Sequence, residues 1–540
     1  MLASITVKGA QPMRWKSLAI LVVALVLAAC APSAPATPPG GPAPGGTTTA
    51  GEQREDQQIL RIGAAGLIAN PTPSSTGGNA YMLWTMYDNL VSLGKDYTLR
   101  PSIAERWELQ PDNTTWRFFI RRDMTWPNGD KLTAADVEFT MNQVIEKNWP
   151  QRAPFASVTA ARLVDEYTVD FQARQTDQSI PYASQQLWIA PKRYYEQVGE
   201  REFVLRPMGS GPYELVEFKA TDLLRVRKKS TPHPFRKPVA DEIIIRQIPE
   251  NSQVIAGLRT GDLDIASSRN LTAEQADALK AAGMVVLTNP GSNIAGIMLQ
   301  GRAETENTPL KDRRVRLAIN YAIDRAGLAK AIYRDYAQPT GQLAFPGTLY
   351  HDPSVPPFPY DPARARQLLA EAGYPNGFKL PYGVDFTLSM TPSDLIVAIQ
   401  SNLRQVGIEL DVHQLELTEY VDKAYGRKQQ GDMLFGGTAD ALGFGPSRVF
   451  QGCGKPAGGG PGTTWYCNPE WDRLMDLAYA ERDLQKRIEY ARQANAIQRQ
   501  DSYLLFLLNA PSFIVHSPKV RGVNIELSFI YNFDSVYKVK

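Results

Sequence analysis

The chain has 540 residues, 43% hydrophobic and 21% charged, a globular composition with enough length for more than one core. A net charge of +2 gives no field that would select nucleic acid or an acidic partner. The three cysteines and four histidines are not grouped at metal-ligand spacing, so neither a metal nor another cofactor is expected.

Lys8, Arg14 and Lys16 precede an apolar run from Leu18 to Ala29. At about twelve residues the run is short of the ~20 that span a bilayer, and its basic flank and small final residues read as a secretory signal. The start is Met1 or Met13, because the segment from Met13 is itself a complete signal. Leu27-Ala28-Ala29-Cys30 resembles a bacterial lipobox, which implies cleavage before Cys30 and lipid on that cysteine. A plain signal peptide, 1–29, with a chance cysteine is the alternative. Residues 30–58 are rich in Pro, Gly, Ala, Thr and Ser and then charged, with little to bury, so a disordered tether is expected. Extended proline-rich chain reaches roughly 3 Å per residue, enough to hold a body some distance from a membrane.

The body begins with an apolar strand, "ILRIGAAGLI" at 59–68. "TWRFFIRR" at 115–122 alternates as a strand, and "WPNGD" after it is turn chemistry. Thr133 caps a helix with Asp136 as its capping-box partner. "YTVDFQA" and "LLRVRKK" alternate as strands, the basic residues of the second forming a solvated face. From about 309 the chain turns helical, with Val315, Ala318, Ile319, Ala322 and Ile323 on one stripe. Asp324 caps the next helix, and Asp361, Pro362 and Gly373 start and stop another. "SDLIVAIQSNLRQVGIELDVHQL" reads as helix, Gly407 turn and strand, and a last helical region runs from Pro469 to about Leu508. Helices and strands mix without a repeat, so the class is α/β or mixed α+β with several lobes.

"SIAERWELQPDNTTWRFFIRRDMTWPNGDKLTAADVEFTM" (102–141) resembles the signature of the extracellular solute-binding proteins, family 5. "GSGPYEL" (209–215), "GDLDIA" (261–266), "VRLAINYAIDR" (315–325), "DPARARQLLAEAGYPNGF" (361–378) and "NPEWDRLMDLAYAERD" (468–483) follow in family order. Most of these residues carry a structural reading: Trp107, Trp116, Phe118 and Trp126 as core aromatics, Gly129 and Gly211 as turn formers. The resemblance implies a two-lobed periplasmic-binding-protein fold with a hinge and an extra inserted domain. Lobe I maps to 59–87, 201–290 and 507–540, the inserted domain to 88–200 and lobe III to 291–506. It also implies an exported binding component of an ABC importer, at the outer face of the cytoplasmic membrane or in the periplasm. The expected partners are a small solute, the permease subunits and the membrane through lipid on Cys30, with the chain a monomer.

"GDMLFGGTADALGFGP" (431–446) resembles the family segment that lines the cleft, where Asp440 stands as the acid that pairs with a peptide's α-amino group. Gly436, Gly437 and Thr438 would let an extended peptide approach the backbone. Thr76, Gly77, Gly78 and Asn79 correspond to the opposite wall. Gly437 replaces a usual tryptophan, and 383–393 lacks the arginine that dipeptide binders place there, which favours a longer peptide or another solute. Relatives carry a cysteine pair at the place of Cys453 and Cys467, implying a disulfide in an exported protein. Oligosaccharides, opines or nickel chelates are the alternative ligands. Trp465 and Tyr466 keep the sugar option open, while the scattered His233, His351, His413 and His516 give nickel little support. An extracellular hydrolase is the remote alternative, and no G-x-S-x-G, H-E-x-x-H or P-loop motif supports it.

Overall fold

The computed structural model describes residues 53–64, 70–75, 80–94, 98–152, 154–268, 271–299, 308–344, 346, 348–387, 391–416, 419–420, 433–437, 453, 467–524 and 533–540. An eleven-stranded sheet threads the body. Its middle is a pair of long strands, Val285–Met298 and Leu504–His516, antiparallel from Val285↔His516 to Met298↔Leu504. On the lobe I side the second of these pairs with Ile265–Ser268, followed by Ile59–Ala64, Glu242–Gln247, Leu223–Lys228 and Tyr213–Lys219. On the lobe III side the first pairs with Met433–Gly437, followed by Val384–Phe386 and Val412–Gln414. Both long strands run through the boundary expected between the lobes, so each crosses from one side to the other. The register between them shifts at Asn289/Asn293, a bulge midway along the crossing. Bulges bend strands, and the bend lies where two lobes would pivot.

Local sequence explains most elements. Leu60 and Ile62 lie beside Ile243 and Ile245 in a parallel pair, all four buried as their alternation requires. The basic residues of Leu223–Lys228 form ion pairs with Glu242, Glu214 and Asp241 on a solvated face. Asp136 does more than close a capping box. Its carboxylate accepts the Thr133 and Lys192 backbone N–H groups at 2.9 and 2.8 Å and the Trp126 indole N–H at 3.3 Å. Burial raises its pKa against those hydrogen bonds. The helical stripe Val315, Ala318, Ile319, Ala322 and Ile323 is fully buried against helices Pro362–Glu371 and Ser393–Gln405. Trp116, Phe118 and Trp126 are core aromatics of the inserted segment, and Trp107 is half-buried beside them.

Three expectations need correction. The helical region after Pro469 ends at Asp501, not Leu508: Ser502 takes a left-handed φ of 50° and Leu504 opens the crossover strand. A continuous apolar run such as "LLFLL" does not reveal its period, and this strand is covered on both faces. Gly211 lies in a bend, yet close approach and not the bend is what demands glycine there. A Cβ at Gly211 would stand 2.7 Å from the Met86 carbonyl carbon, and one at Gly209 would stand 1.9 Å from the Met86 oxygen. "GSG" is therefore a bed on which the Met86 backbone lies, the Gly211 N–H donating to the Met86 carbonyl at 2.8 Å. The third concerns the tether, whose last residues are bound rather than free. Residues 53–58 run along the C-terminal residues, Glu55 N–H donating to the Lys538 carbonyl and Lys540 N–H to the Gln53 carbonyl. The Lys538 ammonium reaches both Glu55 and Asp264, at 3.1 and 3.4 Å. Composition hides this, because the binding uses backbone and polar groups instead of apolar burial.

The inserted segment is welded to lobe I. Trp188, Ala190 and Tyr195 share one apolar core with Leu60, Ile62, Phe203, Tyr213 and Ile243. Beside it lies a buried ionic cluster. Asp88 is within 3.0 Å of His233 Nε2 and accepts from Arg236 at 3.2 Å and from Ser210 at 2.9 Å. Arg236 also donates twice to Asp534, at 2.8 and 2.9 Å, so three distant chain segments meet there.

Candidate functional site

The lobe III wall of the cleft forms at the ends of parallel strands. Val384–Phe386 lies parallel to Val412–Gln414 on one side and to Met433–Gly437 on the other. All three run in the same direction, so their carboxyl ends and the loops that follow share one edge, where open α/β sheets bind ligands. Gly436 and Gly437 lie at that edge, opposite Gly296 and Ala295 of the crossover strand. The register with Val384–Phe386 stops at Asp385↔Leu434. Among the described residues, Phe435–Gly437 therefore keeps a ladder partner on one side only. Helix Ser393–Gln405 begins just past this edge, and Thr387 and Thr391 between strand and helix are buried. The Thr391 N–H donates to the Thr387 carbonyl at 3.1 Å, while its hydroxyl is buried without a hydrogen-bond partner.

The loop expected to form the opposite wall follows the Asn70–Ser75 turn. Asn70 Oδ1 accepts the Thr72 N–H at 2.9 Å, and the Ser75 N–H donates to the Thr72 carbonyl at 2.9 Å. Gln151 of the inserted segment donates to the carbonyls of Pro73 and Ser75, at 2.6 and 3.2 Å. This holds the stem of the loop that continues into 76–79. Gln151 was not legible as a clamp on this loop, because its acceptors stand more than seventy residues away in the chain. Its Oε1 and the Ser75 hydroxyl are buried without partners. On the crossover pair, Asn509 lies in register with Ile294 and Gln338, buried and with Oδ1 unpaired.

Of the candidate residues, Gly436 and Gly437 are placed at the C-terminal end of strand Met433–Gly437. Thr438, Asp440, Thr76, Gly77, Gly78, Asn79, Trp465, Tyr466 and Cys30 lie outside the described residues. Cys453 and Cys467 are joined by a disulfide, and the Cys453 N–H donates to Asp472 at 2.8 Å, fixing the loop to helix Pro469–Ala480. The histidines remain apart: His233 belongs to the Asp88 cluster and His413 pairs with Asp385 at 3.1 Å. Among the described residues no group of three or more His, Cys, Asp or Glu side chains could hold a metal ion.

Two lobes joined by a pair of long strands, with a cleft at the strand ends, define a hinged binding protein. The chain belongs to the bacterial extracellular solute-binding proteins, family 5: the profile described as "Bacterial extracellular solute-binding proteins, family 5 Middle" matches residues 98–484. It is an exported solute-binding protein of the ABC-importer type, and its task is binding, not catalysis. Among similar curated proteins, heme-binding protein A of Haemophilus influenzae is 24% identical over 487 residues, 84% of this chain and 86% of that one. The glutathione-binding protein GsiB of Salmonella choleraesuis is 25% identical over 494 residues, 88% of this chain and 93% of that one. Among solved structures, DppA from Helicobacter pylori in complex with the peptide STSA superposes with a TM-score of 0.76 at 22% identity, covering 89% of this chain and 98% of its own. AppA from Bacillus subtilis, in complex with a nonapeptide, gives 0.74 at 20% identity, covering 90% and 100%. The structural likenesses establish the fold.

Proposed function

We propose that this chain is a monomeric, lipid-anchored importer receptor that captures oligopeptides or peptide-like solutes between its lobes and delivers them to a membrane permease. The observation that carries the peptide reading is the Phe435–Gly437 strand end: two glycines, laddered on one side only among the described residues, beside a crossover strand with Gly296 in register. An extended peptide can add to such a strand end through backbone hydrogen bonds, and absent side chains let it approach. Two structural neighbours hold peptides, STSA in DppA and a nonapeptide in AppA, which supports a peptide as cargo. Lipid on Cys30 and the tether that follows would keep the receptor at the outer face of the cytoplasmic membrane or in the periplasm.

A second reading keeps the fold and changes the cargo. The similar structure of AgaA holds agropinic acid, and residues 383–393 carry no arginine for a peptide carboxylate. Native mass spectrometry of protein purified without denaturation separates the two. A co-purified peptide mixture supports the proposal; a single opine, sugar or chelate replaces it. Asp440 is the proposed partner of the peptide's α-amino group. Asp440→Asn is expected to weaken binding of free-amine peptides by about tenfold or more, as loss of a charge-assisted bond in a dry cleft implies. N-acetylated peptides should bind both forms equally in calorimetry. Equal loss for both peptide types would remove Asp440 from that role.

A further inference from the structure

Two family motifs whose residues do not line the cleft meet across the molecule. The first is the "PDNTTW" turn at 111–116 of the inserted segment. Asp112 accepts the N–H groups of Thr114 and Thr115, both at 3.0 Å, and the Thr115 hydroxyl at 2.7 Å. That fold of the turn puts Asn113 at a φ of 62°, a left-handed position asparagine tolerates. The second is "AYAERD" at 478–483 of lobe III, between helices Pro469–Ala480 and Leu484–Asp501. The Arg482 guanidinium donates to Asn113 Oδ1.

A second contact runs alongside. The Trp116 indole donates to the Asp177 carbonyl at 2.7 Å. The Asp177 carboxylate accepts the Ser157 hydroxyl and the Ser179 N–H. Held from both sides, the Asp177–Ser179 turn presents the Gln178 N–H to the Tyr479 carbonyl at 2.8 Å. Gln178 and Tyr479 are buried, whereas Asn113 and Arg482 are exposed.

These contacts join two bodies whose other attachments differ in kind. The inserted segment shares an apolar core and the Asp88–Arg236–Asp534 cluster with lobe I. Lobe III connects to lobe I through the crossover strands and, at the hinge, through Asp277, which accepts the Tyr336 hydroxyl at 2.8 Å and pairs with Arg334 at 3.3 Å. Rotation of lobe III about the bulged crossover strands would leave the weld between the inserted segment and lobe I in place. It must separate residues 113 and 178 from 482 and 479. We infer that the Asn113–Arg482 and Gln178–Tyr479 contacts form a latch that holds the inserted domain against lobe III in the closed form. None of the latch residues is among the candidate ligand contacts, so the latch would set how readily the cleft opens without deciding what the cleft holds. A polar pair of this size suits a reversible catch, since it is broken by thermal motion far more readily than a core.

The test needs no ligand, so its outcome is independent of what the cleft binds. Amide hydrogen exchange is measured on the full unliganded chain and on Asn113→Ala, Arg482→Ala and the double variant. Both side chains are exposed, so neither change threatens the core. Exchange of the Gln178 amide is expected to accelerate roughly three- to tenfold in each, the double variant matching the singles because one contact is lost in all three. Strands Thr115–Ile120 and Thr168–Ala173 should exchange as in the parent, and the radius of gyration in X-ray scattering should rise. Unchanged protection at Gln178 overturns the latch. So does acceleration spread through the inserted sheet, which would report unfolding instead of opening.

Discussion

Asp88→Ala is expected to cost about 3–5 kcal/mol at neutral pH, the loss typical of breaking a buried ion pair by removing one partner. The carboxylate is 2% exposed, and the variant would leave Arg236, His233 and the Ser210 hydroxyl facing an empty site. Arg236 keeps its double bond to Asp534, so the loss should be large without being a collapse. The pH dependence identifies the cause. Burial by itself raises the Asp88 pKa, but His233, Arg236 and Ser210 together bring it down to about 2 in the folded chain, against 3.8 for the free group. A depressed carboxyl stabilises the fold above its unfolded pKa, and that stabilisation fades as pH falls through the folded one. The wild type should therefore lose about 2 kcal/mol between roughly pH 4 and pH 2 from this group. Asp88→Asn should be less stable at pH 7 and should lack that part of the acid slope. Urea denaturation at pH 7 and pH 3 measures both. A parallel offset at the two pH values would mean that the carboxylate charge is not what holds the junction.

Arg325→Leu is the second large effect, again on the order of 3–5 kcal/mol, by the same argument of unpaired buried groups. Arg325 is 3% exposed and has no carboxylate among its hydrogen-bond partners. It donates to the Phe506 carbonyl at 2.6 Å, to the carbonyls of Asn320, Ile323 and Phe358, and to the Asn320 side chain at 2.9 Å. Asn320 in turn donates to the Leu504 carbonyl at 2.9 Å. Burial, with Arg499 nearby, draws the Arg325 pKa down to about 9, which leaves it cationic at neutral pH. Its charge is spread over carbonyl dipoles and the face of Phe358, on which Arg499 also stacks. Asn320 and Arg325 thus fasten the lobe III helices to the crossover strand. Arg325→Lys should recover only part of the loss, because one ammonium cannot reach acceptors arranged for a planar fork. Full rescue by lysine in chemical denaturation would show that charge alone matters there.

Much of this architecture was legible in order along the chain. The cap at Asp361, the stripe from Val315 to Ile323 and the alternation of "TWRFFIRR" are local facts, set by neighbours within a few residues. The same locality explains the misreadings. The apolar run after Ser502 suits a helix or a two-sided strand, and only its position between Val285–Met298 and Ile265–Ser268 decides for the strand. Gly211 reads as a glycine required by its turn until Met86, more than a hundred residues away, is found lying on it.

The sequence by itself determined the class of fold, the membership of a binding family and the motifs that mark it, because periodicity, caps and motif order are properties of consecutive residues. Only the tertiary structure decided which side chains meet across the chain. Arg325 as a staple to the crossover strand, Asp88 as the centre of a three-segment junction, Gln151 as the clamp on a cleft loop and Asn113 opposite Arg482 are all pairings over long chain separations. Such contacts leave no periodic trace, since a hydrogen bond needs two groups close in space and is indifferent to how far apart they stand in the chain.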